Sequence, residues 1–126
     1  SIALMRDLAG PPLPPTRLAR AASLVSALAS QDLPETRDAS LRGDAALLLD
    51  MDRAPLGAGP AAFDAHATAH RAEYTHMKDD TYAAGRAAEL RLLLWRERIY
   101  HTDRYFLAHE RQARRNITGL LARLEA

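Results

Sequence analysis

Apolar residues in this chain return every three or four positions and almost nowhere alternate. That spacing constrains the fold more than any other property of the sequence. Leu18, Ala21, Ala22, Val25, Leu28 and Ala29 mark one helical stripe. Phe63, His66, Ala67, His70, Tyr74 and Met77 mark a second, and Tyr82, Leu90, Leu93 and Leu94 a third. Phe106, Ala113, Ile117, Leu120, Leu121 and Leu124 mark a fourth. No stretch reads as a strand of useful length; Arg98–Thr102 is β-like but short and has no partner. The expected fold is all-α, a bundle of five to six helices in a single domain over residues 1–126.

Proline and capping residues set the expected boundaries. A short helix over Ser1–Ala9 is stopped by the prolines that run to Pro15, because each lacks an N–H and restricts the residue before it. Thr16 suits an N-cap for a helix reaching Ser30. Residues 31–43 are polar and read as a loop, in which Asp38 or Ser40 caps a helix over about Ser40–Leu49. Asp50–Gly59 reads as an irregular turn or short helix. Pro60 opens a helix to about Tyr74, an Asp of the Lys78–Asp80 break caps one over about Thr81–Glu97, and the last runs from about Asp103 to Leu124.

Composition excludes several classes of function. The chain has no Cys, so disulfides, thiolate metal sites and a Cys nucleophile are absent, which fits a cytoplasmic protein. A formal net charge of +1 gives no global field for nucleic acid or an anionic membrane. No apolar run approaches the ~20 residues of a membrane span, and the first residues do not read as a signal peptide. The chain begins without Met inside an apparent helix, so the expectation is a piece of something larger.

Three groups of residues invite a chemical reading. Asp50 and Asp52 follow the apolar run Ala45–Leu49 and can point an oxygen ligand inward, although a buried helix also commonly ends this way. His66, His70 and Glu73 fall at i, i+4 and i+7, a spacing that sets three ligands on one helical face; two packed histidines explain the same pattern. The arginines of the last two helices alternate with carboxylates and read mainly as a solvated, paired face. One or two of them can serve an anion. There is no Gly-x-Ser-x-Gly elbow and no phosphate-cradling glycine loop.

Taken in order, several short motifs form a recognisable series: Leu48-Leu-Asp-Met-Asp52, Leu56-Gly-Ala58, Arg71-Ala-Glu-Tyr74, Tyr82-Ala-Ala-Gly-Arg86, Arg96-Glu-Arg-Ile-Tyr-His-Thr102 and Glu110-Arg-Gln-Ala-Arg-Arg-Asn116. Their order and spacing resemble the C-terminal part of the predicted metal-dependent phosphohydrolases of the HD superfamily, bacterial all-helical proteins. The resemblance covers about residues 45–124 and weakens over 1–44. It implies the C-terminal portion of an HD-domain-like fold. It also implies a divalent metal (Mn, Mg, Fe or Zn) held by a His, a His-Asp pair and a later Asp, with metal-activated water attacking a phosphoester. Asp50 matches the later Asp best, and Asp52 is the second choice. Arg71, Arg86 and Arg114 are carried over as candidate substrate contacts; no catalytic residue is assigned.

The departures from the family define the expectation. The chain has no His-Asp dipeptide, because the half that bears the first His and the His-Asp pair is not in it. Gln31 stands where the family's preceding helix usually ends in His, and Arg53 where an apolar residue is usual. The chain alone is therefore expected to be inactive and to need the missing half or a second protein as partner. The alternative is a non-catalytic helical interaction module, dimeric through an apolar face that includes Leu47–Leu49 and Phe63.

Overall fold

The computed structural model describes residues 14–126. Among them are five α-helices and no strand: α1 (Pro15–Ser30), α2 (Ala39–Arg53), α3 (Pro60–Ala72), α4 (Asp79–Trp95) and α5 (Asp103–Leu124), with a 3-10 turn over Ala54–Gly57 between α2 and α3. The fold is all-α, as the periodicity requires. The helix expected over Ser1–Ala9 lies outside the described residues. No described helix is long and apolar enough to cross a membrane. The chain forms two compact units that divide between Asp52 and Arg53.

In the first unit, α1 starts two residues earlier than expected, with Pro14 rather than Thr16 at the N-cap position. Pro15 occupies the first turn and Thr16 lies inside the helix, so no side chain caps it. Proline serves that position because its fixed φ and missing N–H cost nothing there. Gln31 ends α1 in the left-handed conformation (φ 61°), its N–H bonded to Ala27 O at 2.8 Å. Asp38 caps α2 as one of the two candidates, its carboxylate accepting from Leu41 N at 3.1 Å. Arg20 of α1 reaches Asp44 and, at 3.1 Å, Ser40 of α2.

The second unit holds the larger core. Phe63 from α3, Ala87 and Leu90 from α4, and Ala113, Ile117, Leu120 and Leu121 from α5 pack with Leu56, Ile99 and Tyr100. The core face predicted for α5 is the one buried. Three of the boundaries that differ from expectation have a clear local reason. Helix α2 runs past Leu49 to Arg53, because nothing opposes helix until Pro55; only Ala54–Gly57 forms the turn. Helix α3 stops at Ala72 rather than Tyr74. Arg71 folds back to bond Tyr74 O at 2.6 Å and Met77 O at 2.9 Å, gathering the carbonyls of the turn. Helix α4 starts at Asp79, and Asp79 and Asp80 lie in its first turn, where their charge favours the dipole, instead of capping it.

Two polar devices fix the connections within this unit. Buried Glu110 accepts from Ile99 N at 2.9 Å, Tyr100 N at 3.1 Å and Arg114 Nε at 2.7 Å, which pins the linker before α5. Asn116 donates to Leu56 O at 2.9 Å and Ala58 O at 2.8 Å, which ties the 3-10 turn to α5. The turn approaches so closely that a Cβ on Gly57 would lie 2.6 Å from His109 Cβ and 2.9 Å from its carbonyl oxygen, so glycine is required there. Several large apolar side chains stay in solvent: Leu47 and Met51 on α2, Leu92 and Trp95 on α4, and Leu107 on α5.

Candidate functional site

Because α2 continues through Arg53, Asp50 and Asp52 are helical residues two positions apart. They point about 200° from one another, so they do not form a joint carboxylate pair. Asp50 is 0% exposed, while Asp52 is exposed. Gln31 Nε2 lies 3.2 Å from Asp52 Oδ2 and also donates to Leu28 O at 2.7 Å. The end of α1 and the end of the acidic motif therefore meet in space, although 21 positions separate them in sequence. The buried Arg53, the residue after that motif, donates from Nη1 to Ile99 O at 2.8 Å. The arginine is tolerated inside because its charge is carried on a hydrogen-bonded fork.

These residues do not by themselves fit a catalytic metal. Among the described residues no three His, Asp or Glu side chains converge on a point that could hold an ion. The amide of Gln31 presents its donor, not its oxygen, to Asp52. The His66, His70 and Glu73 set is not assembled either. Helix α3 ends at Ala72, so Glu73 falls outside the regular helix, and His70 Nδ1 is 2.7 Å from Tyr82 Oη.

The three candidate arginines have different surroundings. Arg114 spends its fork on Glu110, on Leu94 O at 3.0 Å and on Arg96 O at 2.8 Å, so it holds the end of α4 and the linker. Arg71 braces the α3–α4 turn, pairs with Asp79 at 2.8 Å and sits over the Tyr82 ring at 4.6 Å. Among the described residues Arg86 makes one hydrogen bond, from Nη1 to Glu89 Oε2 at 3.1 Å.

Arg71 and Arg86 share an open groove of about 580 Å³ formed by α3, α4 and α5. Asp64, Arg123, Tyr82 and Leu120 also line it. A smaller hollow of about 220 Å³ lies next to it and shares Tyr82 and Arg86, with His70 on its wall. Burial, and then the neighbouring Arg86 charge, push the His70 pKa below 6.5 and favour the neutral ring. Burial raises the Tyr82 phenol above its usual value, so this tyrosine is not an activated nucleophile.

No protein-family model, no curated protein and no solved structure matches this chain. The site thus rests on geometry. Of the residues read from sequence, the structure brings Arg71 and Arg86 to one groove and Asp52 to Gln31, and it places Arg114 in a different role. The sequence reading missed Asp64 and Arg123 as groove residues. Asp64, Thr68 and Arg71 fall at i, i+4 and i+7, so their shared face was available from spacing. Nothing in the spacing indicated that Arg123, 59 positions from Asp64, would close on it at 3.2 Å.

Proposed function

We propose that this chain is the C-terminal helical portion of a metal-dependent phosphohydrolase of the HD superfamily, and that the carboxylate it offers to the metal is Asp52. The observation that carries this reading is the meeting of Gln31 with Asp52 at 3.2 Å. The position at which the family's helix ends in His, and the motif that supplies the family's last Asp, are neighbours in this fold. Asp52 is the exposed carboxylate of the motif, whereas Asp50 is fully buried. An exposed oxygen is available to an ion held mostly by another set of residues. The His and the His-Asp pair belong to a separate half, so the chain alone binds no catalytic metal and hydrolyses nothing. A cytoplasmic, bacterial setting belongs to the same proposal.

The test combines the chain with a separately produced His-Asp-bearing half from a phosphohydrolase of that family and Mn²⁺, using p-nitrophenyl phosphate as substrate. Activity should appear only in the mixture and should vanish with Asp52→Ala. Full activity with that variant would overturn the assignment of Asp52.

A second reading, a non-catalytic interaction module that pairs with itself, is supported by Leu47 and Met51, exposed one helical turn apart on α2. Leu49 and Phe63, named with Leu47 as interface candidates, are buried and contribute to packing instead. Light scattering separates the readings. A dimer that Leu47→Lys converts to a monomer favours the module; a monomer at high concentration removes it.

A further inference from the structure

Arg86 is a cation largely withdrawn from water with most of its fork unused. Its side chain is 11% exposed, and among the described residues its only hydrogen bond goes to Glu89. Nε and Nη2 have no acceptor among the described residues. The single partner is itself 64% exposed and sits at i+3 on the same helix, an arrangement that water weakens. A guanidinium offers five N–H donors, and buried donors are ordinarily filled. Arg114, 33% exposed at its side chain, meets that rule by bonding one carboxylate and three carbonyls. Arg86 instead leaves Nε and Nη2 open to solvent, and it borders both of the hollows described above.

The remaining groove charges are already matched. Asp79 is held by Arg71 at 2.8 Å and Asp64 by Arg123 at 3.2 Å. Three arginines against two aspartates leave Arg86 without a carboxylate on this lining; its one partner, Glu89, lies on the wall of the adjoining hollow. Around it the surface is apolar: Ala67 from α3, Ala83 from α4, and Leu120 and Leu124 from α5. A groove of about 580 Å³ is within the range that holds a small molecule. We propose that this groove binds an oxyanion carried on an apolar body, the anion seated on the Arg86 fork and the body lying against Leu120 and Leu124. A phosphate monoester and a carboxylate both present the paired oxygens that a guanidinium recognises. Arg71 and Arg86 are also among the substrate contacts that the family resemblance offers, but the inference uses no metal and no second half, so it can fail or hold independently of the phosphohydrolase reading.

The experiment is a ¹⁵N NMR titration of the whole chain with phenyl phosphate, following the backbone amides and the Arg86 Nε–H. Saturable shifts are expected at the Arg86 Nε–H and at the amides beside Ala67, Ala83 and Leu120. Inorganic phosphate should bind more weakly, since it lacks the body. Benzoate serves as the carboxylate arm: whichever of the two aromatic anions binds more tightly identifies the head group. Arg86→Gln should weaken binding at least about tenfold, the loss of a charge-assisted pair. Glu89→Gln removes the competing carboxylate from an exposed position and should tighten binding, so the proposal remains testable if Arg86→Gln fails to fold. Arg111→Gln, an exposed site on α5, should change nothing. The proposal is overturned if neither aromatic anion saturates at millimolar concentrations, if the shifts map away from the groove, or if Glu89→Gln leaves affinity unchanged.

Discussion

His70 shows how a single side chain converts its surroundings into a pH response. The ring is half-buried, packs against Tyr74 at 5.2 Å and lies beside the Arg86 charge. Both burial and that charge disfavour the imidazolium. Its folded pKa is therefore below 6.5, and between that value and 6.5 the unfolded chain binds more protons than the folded one. The contribution to stability is complete above pH 6.5 and is lost as pH falls through the folded pKa. An NMR titration of the His70 ring should give a midpoint below 6.5; a midpoint above it would contradict this account. In the Nε2–H tautomer the Tyr82 phenol donates to Nδ1, so acidification reverses that hydrogen bond, with Nδ1–H donating to the phenol oxygen.

Helix α5 organises the second unit because one buried face carries both its apolar and its polar anchors. Glu110 and Asn116 lie among Ala113, Ile117 and Leu120 and fasten the linker before α5 and the 3-10 turn after α2. Replacing Glu110 by Ala removes the carboxylate that accepts from the Ile99 and Tyr100 N–H groups and from Arg114 Nε–H. The expected cost is about 3 kcal/mol, read from urea unfolding. A loss under about 1 kcal/mol would mean that the linker holds without it. This face also shows what the sequence made legible. The apolar positions of α5 followed from a period of 3.6, and its ends came out at Asp103 and Leu124 as expected. The burial of Glu110 did not, because a glutamate among arginines reads as a surface pair until the chain brings two backbone N–H groups to it. Likewise the end of α2 was misplaced by reading Asp50 as a stop, when the stronger local signal was Pro55.

The described chain is two compact units rather than one uninterrupted core, and the Asp-x-Asp motif closes the first of them. This explains why the candidate site was only partly readable. Residues that share a helix, such as Tyr82 and Arg86, announce a common face through their spacing. Gln31 with Asp52, and Asp64 with Arg123, are brought together only by tertiary packing. The exposed apolar residues carry one more consequence. Trp95 is the single tryptophan of the chain, and at the last residue of α4 it is 87% exposed. Its fluorescence should already be that of an indole in water while the protein is folded. Thermal unfolding should therefore hardly move the emission maximum while circular dichroism reports the full loss of helix. A shift to the blue on mixing with any second component would mark the covering of that end of α4, giving the chain a built-in optical reporter of association that is blind to its own melting.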